Sequence, residues 1–244
     1  RAFLGTPEEA YDFVSKAMAS FDAPLEGSGK LVKAHIHGLT AASLRERLEG
    51  KGLSGSVRLA LSEPAPANTT LLTRTHPLTA TLADALVEAA LDPEALPGVT
   101  IGRVGAWPTP AVDKLTWLAV LRFRFKLTVH ARREHFLMAE EASLVAIRDG
   151  EILAAGDEAR KMLATQASGD LSSIAKERMI QQAHAALPAL IKGPLAKHVT
   201  DRAEALLEDH ARLRHAAGGT SRVSVEAVLP PDIIGLFTLI PAGV

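Results

Sequence analysis

The densest chemistry-bearing stretch of this chain lies between residues 122 and 141. Arg122, Arg124 and Lys126 alternate, Arg132 and Arg133 follow, and Glu140-Glu141 come next. Cations alternating along one strand face could hold the phosphates of a nucleic acid. A carboxylate forced among apolar neighbours could act as a general acid. Leu115 to Val129 and Phe136 to Ile147 read as two strands of a hairpin around a polar loop at 130–135. If Val129 pairs with Phe136, Arg124 faces Glu141 and Phe125 faces Glu140. The first is an ordinary cross-strand ion pair, worth about 0.2–1 kcal/mol. The second sets Glu140 on the apolar face with Leu121, Phe123, Phe125 and Leu127, where an unpaired carboxylate is costly. A buried structural ion pair is therefore favoured there over a general acid, for which the sequence offers no partner. For the five cations the plain reading is a solvated face under an acidic helix. The sharper one is a nucleic-acid contact.

Other motifs fail on inspection. Gly27-Ser28-Gly29-Lys30 resembles the tail of a phosphate-binding loop, but Pro24 stands where the first glycine belongs and Leu31 where the magnesium-binding hydroxyl belongs. Gly102-Arg103-Val104-Gly105 lacks the third glycine and the following helix of a dinucleotide site. His35 and His37 share a face if residues 31–37 form a strand, which could begin a metal site. No third ligand stands nearby, so hydrogen-bonded or exposed histidines are expected. No metal ligand and no catalytic residue is assigned.

These residues must be carried by elements, and the chain has enough material for them. It has 244 residues, 47% hydrophobic and 23% charged, as in an ordinary globular fold. With no cysteine, thiol catalysis and thiolate metal sites are excluded. A net charge of −1 argues against a broad positive field, and ten aromatic residues (4%) argue against a base-stacking platform. No apolar run is long enough to span a membrane. Thr6-Pro7-Glu8-Glu9 signals a helix start, and helical spacing continues to Phe21. A strand at 31–37, a short helix at 40–49 capped by Thr40 or Ser43, and a strand at 56–62 follow. Pro64-Ala65-Pro66-Ala67-Asn68 is the best internal boundary, dividing an α-β-α-β segment, 1–68, from 69–244. That segment is either a separate lobe or part of the same domain. His76-Pro77 opens a helix to about Leu91, closed by Pro93 and Pro97. Val99 to Trp107 begins a mainly antiparallel sheet. Helices at 157–165 and 171–187, a proline-marked break, and a long helix ending at Gly218-Gly219 come next. Strands at 221–228 and 233–240, separated by Leu229-Pro230-Pro231-Asp232, return to the sheet. The fold class expected is α+β, with helices packed on one side.

Across these elements run residues that carry a resemblance. They are Leu72-Thr73-Arg74-Thr75-His76-Pro77-Leu78, Gly105 to Val112, Leu118 to Phe125 and Ala139-Glu140-Glu141-Ala142. His210 to Arg214 and Leu229 to Gly235 complete the set. In this order they resemble the C-terminal, post-motor region of bacterial Swi/Snf-type helicase-like ATPases, a group that includes RapA-like and DISARM-like phage-defence helicases. The resemblance implies a non-catalytic accessory domain of a DNA helicase or translocase, cytoplasmic, with ATP and magnesium handled by a motor elsewhere in the parent. It implies as partners the remainder of that helicase and either double-stranded DNA or a protein, with no membrane. No catalytic residue carries over. The opening Arg1-Ala2-Phe3-Leu4, without an initiator Met, is expected to lie inside a longer protein. Two alternatives stay open: a DNA-contacting module in its own right through Arg122, Arg124, Lys126, Arg132 and Arg133, and a small-molecule enzyme using Glu140.

Overall fold

The computed structural model describes residues 6–92, 94–96, 101–130, 133–216 and 222–243. Expectations for Pro93, Pro97, Arg132 and Gly218-Gly219 lie outside the described residues. The fold is α+β, and the chain divides into two compact units, Arg1–Gly102 and Arg103–Val244. The division therefore falls later than the expected 68/69 boundary. The reason is packing. The helix after the Pro64–Asn68 stretch contributes Leu78, Leu82, Ala85 and Ala89 to the same core as Val14, Met18, Phe21, Leu44 and Leu48.

In the N-terminal unit, α1 (Pro7–Ser20) starts as its sequence dictates. Thr6 accepts from the Glu9 N–H and Glu9 accepts from the Thr6 N–H, a reciprocal capping box. β1 (Leu31–His35) pairs antiparallel with β2 (Ser56–Ala60), and β3 (Thr70–Leu71) lies parallel on the far side of β2. Between β1 and β2, α2 (Ala42–Glu49) begins at Ala41 with no side-chain cap. The Thr40 hydroxyl instead donates to the Phe21 carbonyl, tying the helix entry to the end of α1. α3 (Pro77–Leu91) is capped by the buried His76, whose Nδ1 accepts from the Leu78 N–H at 3.1 Å.

The second unit is built on a five-stranded sheet. In chain order its strands are β4 (Val104–Thr109), β5 (Thr116–His130), β6 (His135–Arg148), β7 (Glu151–Ala155) and β8 (Arg222–Pro241). Their spatial order is β4-β8-β5-β6-β7, antiparallel except for β4 beside β8. β5 shows why it sits at the centre. Ala119, Leu121, Phe123, Phe125 and Leu127 recur at every second residue, so one face is continuously apolar and buried.

The two closing strands expected at 221–228 and 233–240 are one strand. Between the pairs Arg122/Asp232 and Arg124/Val228, one residue of β5 faces three of β8, and a second irregularity follows at Ile234. Pro230 and Pro231 have no N–H to give the ladder, so they fit where the ladder is already broken. The bulge absorbs the segment that reads as a linker. Beyond it, Gly235 allows close approach: a Cβ there would lie 3.1 Å from the Arg103 carbonyl, which accepts from the Leu236 N–H at 2.8 Å.

α5 (Ser173–Leu190) and α6 (Ala196–Ala216) cover the apolar face through Ala183, Leu190, Val199, Ala203 and Leu206. They join through a wide turn over Ile191–Leu195, bent at Gly193 (φ −101°, ψ −107°) just before Pro194. Pro188 is accommodated within α5. The apolar stripe of α6 is buried only to Leu206, and Leu213 is exposed. The short α4 (Asp157–Ala164) lies on the opposite face, where Ala159 packs with Leu118, Leu144, Ala146 and Leu239. At one end the sheet is thus covered on both faces. At the other, the helix-free face is open.

Candidate functional site

That open face carries the alternating cations of β5. Arg122, Arg124 and Lys126 of β5 stand on it beside Glu140 of β6 and Glu226 and Asp232 of β8. Its geometry follows from register. Val129 pairs with His135, not with Phe136, so Arg124 faces Glu140 and Phe123 faces Glu141. The expected assignment of the two carboxylates is reversed. A one-residue slip exchanges the faces of every side chain in a strand, and the shorter turn is what makes it.

Each carboxylate then finds a partner suited to its side. Glu141, on the helix-covered face, receives the Arg202 Nε–H at 2.9–3.0 Å on both oxygens. Both side chains are half-buried. Neither of the ion pairs expected from the sequence forms: the carboxylate on the covered face is Glu141, held by Arg202 of α6, and Arg124 bonds Asp232. His198, one turn before Arg202, stacks edge-on against Phe123 at 5.7 Å. Its burial pushes the imidazole pKa down, against the weaker pull of Asp201 and Glu141.

On the open face, Asp232 gathers two of the cations. Arg122 donates to its Oδ2 through Nε at 2.9 Å and Nη2 at 2.7 Å, and Arg124 donates to Oδ1 at 3.2 Å. The hydrogen bond to Asp232, its charge and that of Glu140 raise the Arg122 pKa further, so this guanidinium is permanently charged. Lys126 lies 3.9 Å from the Glu226 carboxylate and 5.1 Å from the centre of the Phe136 ring. Arg133 is exposed at the turn; Arg132 falls outside the described residues. Glu140 is exposed. Three cations and three carboxylates therefore alternate across one patch. A phosphate entering it would have to displace carboxylates from the arginines.

Sequence reasoning missed Asp232, Glu226 and Arg202. Asp232 reads as part of a Leu-Pro-Pro-Asp linker, and only the bulge in β8 carries it beside Arg122. Arg202 sits on a helix whose charges nearly cancel, so no local signal singles it out.

Elsewhere, His35 and His37 lie 5.4 Å apart, ring edge to face. His35 bonds Ser56 Oγ at 2.9 Å and Glu26 Oε2 at 2.6 Å, and His37 bonds the Gly55 carbonyl at 3.0 Å. The His35 hydrogen bond, then Lys33, lower the Glu26 pKa. Both histidines are thus hydrogen-bonded, but the expected strand over 31–37 ends at His35 and His37 lies in a 3-10 turn over Ile36–Gly38. Gly27 (φ +98°) and Gly29 (φ +79°) form the turn entering β1. A cleft of about 360 Å³ lies between α5 and the β4–β8 pair, lined by Ile180, Leu187 and Ile233. Its one arginine, Arg103, is committed to the carbonyls of Ile233 and Ile234 at 3.1 and 2.6 Å. Among the described residues no group of three His, Asp or Glu side chains is placed to share a metal ion, and no helix is long and apolar enough to cross a membrane.

A family model described as a domain of unknown function, DUF8741, matches residues 92–244, which include the whole sheet unit. No curated protein matches the chain.

Proposed function

The chain belongs to this family, and we propose that it serves as a non-catalytic accessory domain of a Swi/Snf-type ATP-dependent helicase or translocase in the cytoplasm, positioning the motor through a protein partner. The link to such a motor rests on the ordered residues from Leu72 to Gly235 that resemble its post-motor region. The preference for a protein over DNA rests on one observation: the cations of the open face are interleaved with Asp232, Glu226 and Glu140. Mixed charge of this kind suits a polar protein interface better than a polyanion, whose binding draws on unopposed positive charge.

The second reading, a DNA-contacting module, draws on Arg122, Arg124, Lys126 and Arg133 sharing the same end of the sheet. An enzyme using Glu140 is the weakest reading, because that carboxylate is exposed beside Arg122 and Arg124.

Titration of the purified chain against a labelled duplex over a range of salt separates these readings. Under the protein-contact reading, no strongly salt-dependent binding is seen. A steep linear fall of log affinity with log salt, abolished by Arg122→Ala with Arg124→Ala, would establish the DNA module instead. ATP turnover by this chain alone would overturn the accessory reading. Two motor lobes encoded in the same polypeptide would support it.

A further inference from the structure

Among the described residues, one side of β6 is unpaired over most of its length. β7 joins it only near Leu144 and beyond, where the Gly156 N–H reaches the Leu144 carbonyl at 2.9 Å. That bond shows that Leu144 turns its carbonyl away from β5. The β5–β6 register runs without a shift from Trp117/Ile147 to Val129/His135, so every second residue repeats that orientation. Ala142, Glu140, Met138 and Phe136 therefore present their N–H and C=O groups outward. Among the described residues no strand takes them up. Along this edge Phe136, Leu137 and Met138 are 59%, 58% and 61% exposed.

An open edge is a template for another strand unless something blunts it. The opposite edge at this end of the sheet is blunted: β4 covers β8 only over Leu236–Pro241, and Pro230-Pro231 interrupt the rest at a bulge. The β6 edge has no proline and no bulge before Ala146.

We propose that the β6 edge is a self-association site, at which two copies of this chain pair β6 antiparallel to β6 about a twofold axis through Met138. The two sheets then join into one. The charge pattern selects this occupant and this register. A twofold axis normal to the sheet keeps each face on its own side, so residues of equal parity oppose each other. Centred on Met138, Leu137 opposes Ala139, Phe136 opposes Glu140, and His135, the first residue of β6, opposes Glu141. No like charges meet. Centred on Leu137, only His135–Ala139 could pair, because β6 begins at His135, and Glu134 just before it would approach the like charge of Glu140. Centred on Ala139, Leu137 and Met138 would face Glu141 and Glu140, and their apolar surfaces would lose each other. This inference is independent of the proposed link to a motor.

Sedimentation of the full chain across a wide concentration range is the test, with three variants. The expected result is a monomer–dimer equilibrium that stops at the dimer. Met138→Lys sets two ammonium groups against each other at the axis and is expected to weaken association by about tenfold or more. Because Met138 is exposed, its far-UV dichroism should match the parent. Met138→Cys, in a chain that otherwise has no cysteine, should oxidise to a disulfide-linked dimer far faster than Glu226→Cys on the β8 strand. A monomer at every concentration would overturn the proposal. So would open-ended oligomers, an undiminished dimer in Met138→Lys, or equal cross-linking by Glu226→Cys.

Discussion

The two ends of the five-stranded sheet use the same strands under different rules. Around Leu118, Leu144 and Ala146, α4 covers one face and α5 with α6 cover the other, so both faces are apolar. Around Arg124, Glu140 and Met138, only one face is covered. From Leu121 to Leu127 alternation is strict, with Phe123 and Phe125 inward and Arg122, Arg124 and Lys126 outward. Register matters little to burial where both faces are dry. It decides everything at the half-open end, where one residue of slip would bury a row of charges. The covered side of that end should therefore hold the stability, and the bare side should be nearly free to vary.

The largest effect expected of that contrast comes from Phe123. It is fully buried on the covered face, 6.3 Å from the Phe125 ring and opposite the bulge of β8. Phe123→Ala should cost about 3–5 kcal/mol, the range for removing a buried ring. Phe136→Ala, on the bare face of the adjacent strand, should change stability by about 0.5 kcal/mol or less. Urea unfolding of the two variants measures both. Similar losses would mean that the bare face is covered by something in the folded protein.

A finer version contrasts the paired acids. Glu141 is half-buried and anchors α6 through Arg202, whereas Glu140 is exposed. Glu141→Gln should destabilise the unit by roughly 1 kcal/mol, the scale of a partly solvated charged hydrogen bond. Glu140→Gln should lie within about 0.5 kcal/mol of the parent. A reversed order in the same unfolding experiment would indicate the Val129/Phe136 register after all.

These acids also mark where the sequence stops being legible. Alternation in β5 named its buried face residue by residue, because a period of two leaves no other choice for Leu121, Phe123, Phe125 and Leu127. The helix start at Thr6-Pro7-Glu8-Glu9 is equally plain, being local chemistry. Register is not local. It depends on how many residues separate the two strands, and the sequence Ala131-Arg132-Arg133-Glu134 does not encode that number. The unity of β8 was hidden for a related reason. Pro230-Pro231 is a stop signal in isolation, and only pairing with β5 turns it into a bulge. The late domain division has the same origin, since nothing in α3 itself says which core its leucines enter. Of the candidate site, the cations were legible and their neutralising partners were not, because Asp232 and Glu226 stand about a hundred residues away from them in the chain.

The smallest effect expected is one of pH, and it tests how dry the covered side is at the boundary between the two ends. His198 packs on Phe123, and burial lowers its pKa in the folded state below the ordinary imidazole value. A group with a depressed folded pKa binds its proton more readily when unfolded. Its contribution is therefore complete above the unfolded pKa of about 6.5 and is lost as pH falls from there through the folded value. Asp201 and Glu141 favour the proton and limit the shift, while Arg202 opposes it. The stability of the sheet unit should thus decline below neutrality, and His198→Gln should flatten that part of the profile without altering the loss at still lower pH, where carboxylates protonate. A decline of the same depth in His198→Gln and the parent would show that water reaches this ring freely. The dry layer beneath the charged face would then end before Phe123, and the sheet would open earlier along its length than its packing indicates.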